Sequence, residues 1–101
     1  MLTNQWVSEL SKVIATRVSE DIVKEIEFIC KVEGLDKAAV VKKLLLEGLK
    51  KWKLDYALKL YREGKISIWR AARIADLSLW EFIDILREKR IELQLDENDL
   101  R

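Results

Sequence analysis

The chain contains no proline, only three glycines, no histidine and a single cysteine among its 101 residues. Sheet-rich proteins need many turn residues, so the scarcity of glycine and proline favours helix. A chain without histidine and with one thiol offers no internal disulfide, no tetrahedral zinc site and no histidine-dependent triad. We therefore expect a mostly helical protein that carries no cofactor or metal and is not an enzyme.

The chain also lacks an excess of positive or negative charge, because it has 19 basic and 18 acidic residues. A nucleic-acid partner cannot be inferred from this total and would need a local basic patch. No apolar run approaches the ~20 residues that span a bilayer, and the first residues lack the basic and apolar regions of a signal peptide. These features predict a cytoplasmic protein with no membrane partner.

Residues 12–18, KVIATRV, are rich in β-branched side chains and form the one convincing strand of the pattern. Alternation places two sets of side chains on opposite faces: Ile14, Thr16 and Val18 on one, Val13, Ala15 and Arg17 on the other. A solitary strand leaves its backbone groups unpaired on both edges. We therefore expect a second copy of the chain to pair with it about a two-fold axis.

Two helices are predicted to follow this strand. Ser19 is a candidate N-cap for a helix that runs to about Glu33, and Gly34 is its expected stop. Asp36 can cap the second helix, whose broad apolar stripe could face two partners. This stripe consists of Val40, Val41, Leu44, Leu45, Leu49 and Trp52. The pattern leaves open whether residues 36–63 form one long helix or bend near Gly48.

The stretch from "VIATRVSEDIVKEIEF" through Gly34 to "KAAVVKKLLLEGL" resembles the ribbon-helix-helix family of the Arc and MetJ repressors. The resemblance implies an intertwined dimer whose two-stranded ribbon enters the DNA major groove. By family position, Val13, Ala15 and Arg17 would face the bases, and the segment that includes Lys37 would hold phosphate. Only Arg17 among the ribbon residues is a strong donor, so the alternative is a ribbon that serves dimerisation alone.

Local charge is uneven along the chain. Between Lys50 and Arg73 there are eight basic and two acidic residues, whereas acidic residues outnumber basic ones from Asp76 onward. The candidate phosphate contacts in the basic stretch are Lys50, Lys51, Lys53, Arg70 and Arg73. The alternative is that these side chains form an ordinary solvated helical face.

Residues 67–90 have the pattern of a helix-turn-helix unit, with Ser67 and Ser78 as candidate caps. Small residues at 71, 72 and 75 allow close approach of the two helices, Leu77 fills the turn, and the helical spacing of Phe82 and Leu86 places both beneath it. Acidic residues on the second helix would face phosphates, so a protein contact is favoured over DNA binding. The candidate partner-binding residues are Trp80, Ile91, Leu93, Leu95, Asp96, Glu97 and Asp99.

The segment that contains "YREGKIS", two consecutive alanines, "LSLWEF" and "DENDL" resembles the uncharacterised protein family UPF0175 over about 40 residues. This is a group of small prokaryotic proteins regarded as antitoxins of toxin–antitoxin pairs. Asp76 stands where the family commonly has glycine in the turn. The resemblance implies that the second half of the chain holds a toxin.

These patterns predict a mostly α protein in three parts. Residues 1–11 are an N-terminal extension, residues 12–50 a ribbon-helix-helix domain, and residues 51–101 a helix-turn-helix-like antitoxin domain with an acidic tail. The expected function is a dimeric or higher-order antitoxin that binds operator DNA and sequesters a toxin, for example a nuclease. The alternatives are a stand-alone transcriptional regulator and a protein-interaction module that binds no DNA.

Overall fold

The computed structural model describes residues 11–93, and the regular structure in this range is entirely helical. Its elements are α1 (Glu20–Glu33), α2 (Lys37–Arg62), α3 (Ile68–Ile74) and α4 (Leu79–Glu88). The prediction of a mostly helical chain is thereby confirmed. The chain divides between Lys37 and Ala38 into two compact units.

The segment before α1 forms no strand in the described chain. Val13 is 94% exposed and Ile14 is 86% exposed, so neither face of the predicted strand 12–18 is covered. The β-branched pattern favoured a strand, but β-structure needs a neighbouring strand for its backbone hydrogen bonds. The single chain supplies none within the described range, and pairing with a second copy stays a prediction.

Both predicted ends of α1 are confirmed. The Ser19 hydroxyl accepts a hydrogen bond from the Ile22 backbone N–H at 3.4 Å, which satisfies one free donor of the first turn. Gly34 has a φ of 68° and donates its N–H to the Cys30 carbonyl at 2.9 Å. This left-handed conformation ends the helix and suits a residue without a Cβ. No residue of α1 is buried.

Helix α2 runs for 26 residues without interruption and passes through Gly48. The open question of one helix or two is therefore settled in favour of one. The boundary that the sequence placed between residues 50 and 51 falls inside this helix. Only four of its residues are buried, and three of them lie in its last two turns: Ala57, Leu58 and Tyr61.

The hydrophobic core of the second unit is formed by the end of α2 together with α3 and α4. The Tyr61 and Phe82 rings meet edge to face, with centroids 6.0 Å apart. The buried alanines at positions 71, 72 and 75 let α3 pack closely against its neighbours, as the sequence predicted. The buried cluster comprises Ala57, Leu58, Tyr61, Ile68, Ala71, Ala72, Ala75, Phe82 and Leu86.

The turn between α3 and α4 holds the two helices together. Asp76 has a φ of 57°, and its N–H bonds to the Arg73 carbonyl at 3.1 Å. The Leu77 N–H reaches back to the Ala72 carbonyl at 2.9 Å, while its side chain packs against the core. This is the helix-ending pattern in which glycine is usual, here accomplished by an aspartate. The prediction that Leu77 fills the turn is confirmed.

Serine caps begin both α3 and α4, as predicted. Ser67 accepts from the Arg70 N–H at 3.2 Å, and Ser78 accepts from the Glu81 N–H at 3.1 Å. The Glu81 carboxylate accepts in return from the Ser78 N–H at 2.9 Å, which completes a capping box. The backbone N–H of Ser78, with a contribution from its side chain, stabilises the Glu81 carboxylate and lowers the pKa of Glu81 from its ordinary value of 4.5.

Replacement of Glu81 by glutamine is expected to flatten the acid side of the stability profile. Because the folded-state pKa of Glu81 is lowered, its ionised form adds stability above the ordinary value of 4.5, and this is lost as pH falls through the lowered value. Glutamine keeps an accepting oxygen and does not titrate. Urea unfolding of wild type and Glu81→Gln between about pH 5 and pH 3 measures the difference.

Glu88→Gln removes one carboxylate from the other end of α4 and controls for the change in net charge. Parallel profiles for wild type and Glu81→Gln would show that the capping box contributes nothing to the pH dependence.

Candidate functional site

The residues assigned to the ribbon are all solvent-accessible in the first unit. Val13, Ala15 and Arg17 lie on the exposed segment before α1, where the single chain forms no ribbon to present them together. Lys37 is the first residue of α2, and its ammonium lies 3.7 Å from the Glu27 carboxylate. The ammonium of Lys37 is thus shared with an acidic side chain of α1.

Two of the predicted phosphate contacts on α2 already have acidic partners. Lys51 donates to Asp55 one turn later at 2.8 Å, and this hydrogen bond lowers the pKa of Asp55. Lys53 contacts Asp76 in the turn between α3 and α4. Both lysines would have to share or exchange these partners to bind phosphate.

The other predicted phosphate contacts are exposed. Lys50 lies on α2, whereas Arg70 and Arg73 lie on α3. The structure therefore distributes the five candidates over two helices rather than assembling them at a single point.

A basic groove that the linear pattern did not predict lies between the ends of α2 and α4. Lys59, Arg62 and Lys89 line it together with Asp55 and Glu63, and its volume is about 460 Å³. Lys89 comes from the acidic end of the chain, so counting charges along the sequence could not place it beside the other two. The spacing of Lys59 and Arg62 on one helical face was the only available signal.

The largest exposed feature of the second unit is an apolar face on α2, which we call the α2 stripe. It surrounds Gly48 and consists of Val41, Leu44, Leu45, Leu49, Trp52 and Tyr56, each between 37% and 61% exposed. The spacing of three and four residues puts them on one side of the helix. Trp52 and Tyr56 stack with ring centroids 5.1 Å apart at an interplanar angle of 15°. The α2 stripe is thus partly preorganised by its own aromatic pair.

An apolar groove of about 810 Å³ runs between α2 and the turn that joins α3 to α4. The ion pair of Lys53 with Asp76 lies among its lining residues. The lining residues are Leu46, Leu49, Lys50, Lys51, Lys53, Leu54, Ala75, Asp76, Leu77, Glu81 and Ile85. The groove is mostly apolar and has charged residues at its rim. It would therefore accept an apolar side chain better than a charged small molecule.

The predicted partner-binding residues separate into three groups. Trp80 on α4 is 73% exposed, and Leu93 is 39% exposed. Ile91 instead packs against the core cluster and donates its backbone N–H to the Leu86 carbonyl at 2.8 Å. The remaining candidates lie outside the described residues: Leu95, Asp96, Glu97 and Asp99.

Within residues 11–93, no three side chains of the metal-binding types come together as a candidate metal site. None of the helices in that range combines the length and the apolar character required to traverse a bilayer.

Comparison with known proteins finds one matching family model. The model described as "Uncharacterised protein family (UPF0175)" matches residues 20–101. The match therefore includes α1 and most of the segment that resembles the ribbon-helix-helix family. It gives the resemblance to the ribbon-helix-helix family no support. No solved structure matches the chain significantly.

Curated relatives carry the same family name. A UPF0175 protein of Archaeoglobus fulgidus is 47% identical over 49 residues, which is 48% of this chain and 56% of the relative. A UPF0175 protein of Aeropyrum pernix is 36% identical over 52 residues, or 52% of this chain and 58% of the relative. The chain thus spans little more than half the length of these relatives.

Proposed function

Because this chain belongs to the uncharacterised protein family UPF0175, we propose that it is a dimeric antitoxin that binds operator DNA and captures a toxin protein. Its action is stoichiometric, since the proposal requires binding surfaces and no chemical step. The basis for the antitoxin role is the resemblance of the second half of the sequence to this family, whose members are regarded as antitoxins.

The balance of exposed and buried apolar side chains carries the proposal. Within the described residues, 17 large hydrophobic side chains are exposed, whereas the buried hydrophobic core holds ten residues. Six of the exposed side chains form the α2 stripe, and soluble monomers rarely expose a large contiguous apolar patch unless it binds a partner. A chain with more apolar side chains outside than inside is suited to assembly with other proteins.

DNA binding is assigned to the segment before α1. In the proposed dimer two copies of residues 12–18 pair as a ribbon, and Arg17 donates two hydrogen bonds to guanine. Val13 and Ala15 contact thymine methyl groups, and Lys37 lies at the start of α2 for a phosphate contact. The basic groove with Lys59, outside this segment, offers further phosphate contacts.

Toxin capture is assigned to the α3–α4 unit and the chain after it. Trp80 is the anchor, because a largely exposed tryptophan gains the most from burial in a partner's pocket. Leu93 and the apolar and acidic residues that follow extend this surface, and the acidic groups suit the basic active site of a nuclease. Ile91 is needed for the core of its own unit.

A growth assay with the product of the adjacent gene tests the antitoxin role. We expect that product to arrest growth alone and the full chain to restore growth when co-expressed. Trp80→Ala is expected to weaken binding of the purified pair at least about tenfold, measured by calorimetry, because the anchor side chain is lost. Trp69→Ala on α3, also exposed, is the matched control. An adjacent product without toxicity, or toxicity that the chain does not relieve, would contradict the proposal.

Fluorescence anisotropy with the upstream DNA tests the second half of the proposal. Affinity is expected to fall steeply as salt rises, and Arg17→Ala to weaken specific binding more than Lys12→Ala in the same segment. Binding without any toxin partner would indicate a stand-alone regulator instead.

A protein-interaction module without DNA binding is the second candidate. It is favoured by the acidic partners of Lys51 and Lys53, which occupy two of the predicted phosphate contacts. This candidate predicts rescue of growth without any salt-dependent affinity for the upstream DNA.

A further inference from the structure

We infer that the α2 stripe is the docking surface for a second copy of this chain, with the two α2 helices crossing antiparallel at Gly48. The inference rests on the proposed function only in expecting a homodimer. It adds a second contact surface, separate from the ribbon segment and independent of DNA and toxin.

Gly48 is the first observation. It lies in the middle of a 26-residue helix, where glycine weakens the helix relative to alanine. A Cβ built at this position meets no atom within 4 Å, so packing within the chain gives no reason for the missing side chain. Close approach of another helix does give one, because the absence of a Cβ lets two backbones come together.

The size of the α2 stripe is the second observation. Its six side chains, each between 37% and 61% exposed, form one apolar face along about four turns of α2. The largest apolar patch on a typical soluble monomer measures about 300–600 Å², and each partner in a standard interface buries about 800 Å² in total. A face of six large, partly exposed side chains is therefore of the size that contributes substantially to a stable contact.

The symmetry of the α2 stripe identifies the occupant. In an antiparallel pair about a two-fold axis at Gly48, residues at equal spacing before and after it face each other. Leu44 lies four residues before and Trp52 four residues after, while Val41 and Tyr56 lie seven before and eight after. Each aromatic ring then meets an aliphatic side chain of the other copy. A parallel pair would place aromatic rings against their own copies and leave the smaller side chains facing each other.

Disulfide trapping at Gly48 tests the crossing point. In a Cys30→Ala background, Gly48→Cys in the full chain is expected to form a disulfide-linked dimer under mild oxidation. The added side chain weakens association, but the covalent bond traps copies that meet transiently, and it forms only where the two Cα atoms come within about 7 Å. Lys50→Cys, on the opposite side of α2, is the matched control and is expected to stay unlinked. Equal cross-linking of the two variants would overturn the inference.

Sedimentation equilibrium supplies the second measurement. Trp52→Ala is expected to raise the dimer dissociation constant at least about tenfold, whereas Trp80→Ala, with a similarly exposed ring, leaves it unchanged. Gly48→Ala is expected to raise helicity by circular dichroism and at the same time weaken the dimer. Greater helicity with an unchanged dimer would show that no second helix approaches Gly48.

The outcomes separate this inference from the proposed function. If the dimer dissociates with Ala15→Pro in the ribbon segment but tolerates Trp52→Ala and Gly48→Ala, the docking surface falls and the homodimer stands. If wild type is a monomer whose toxin affinity depends on Trp52, the α2 stripe binds the toxin and the inference is overturned. A monomer without toxin binding contradicts both.

Discussion

Phe82→Ala is expected to lower the free energy of unfolding by about 3–5 kcal/mol, a large fraction of the roughly 5–15 kcal/mol that stabilises a typical folded protein. The Phe82 ring is fully buried and meets Tyr61 edge to face, so truncation removes both the burial and the ring contact. The cavity would lie at the centre of a core with only nine buried members. Urea unfolding followed by circular dichroism measures the change.

Trp80→Ala is the matched control, two residues earlier on the same helix. Its ring is 73% exposed, so the loss of stability in the isolated chain should stay within roughly 0.5 kcal/mol. Equal losses for the two variants would mean that α4 does not bury the face described above. The denaturant dependence should remain similar for both, because the surface exposed on unfolding hardly changes.

The second large effect is expected from Ala71→Leu on α3. Ala71 is fully buried against α2 and α4, and a side chain with three more carbons has to displace its neighbours. Overpacking of this kind typically costs about 1–3 kcal/mol. Urea unfolding is again the measurement, with a heteronuclear NMR spectrum to show whether the helices stay packed.

Arg70→Leu adds the same side chain one residue earlier, at an exposed position of α3. It should leave stability almost unchanged, which isolates the effect of volume from that of leucine itself. A stable Ala71→Leu variant would contradict the close approach of α3 to its neighbours.

The helix boundaries of the described chain were largely predictable, because they depend on local hydrogen bonds. Ser19, Ser67 and Ser78 each accept a hydrogen bond from the backbone N–H three residues later, and Gly34 ends α1 with a positive φ. Such signals need no knowledge of distant residues. The buried positions of Phe82 and Leu86 followed from helical spacing in the same way.

Three other features of the fold were not predictable from the sequence. The segment 12–18 has strand-forming composition, yet β-structure forms only where another strand is available. Asp76 and Arg90 both adopt a φ of 57°, in turns where sequence rules look for glycine. The continuity of α2 through Gly48 was also undecided, since a single glycine weakens a helix without always breaking it.

The candidate binding surfaces, too, were predictable only where they depend on the spacing of residues close together in the chain. The apolar stripe of α2 was visible as a period in the sequence, and the structure leaves five of its six predicted members exposed, whereas Val40 is buried. The contact of Lys53 with Asp76 and the grouping of Lys89 with Lys59 join residues far apart in the chain. Charge counts within a window cannot detect either of them.

In the proposed dimer, the length of α2 would set the distance between the two ends that can bind a ligand. At about 1.5 Å per residue the helix is roughly 39 Å long, and the stretch from Gly48 to Arg62 accounts for about 21 Å of it. Two antiparallel copies crossing at Gly48 would hold the C-terminal ends of their α2 helices about 40 Å apart at a fixed distance. A ligand that engages both ends must therefore repeat its features near that interval, as successive turns of duplex DNA do at about 34–36 Å.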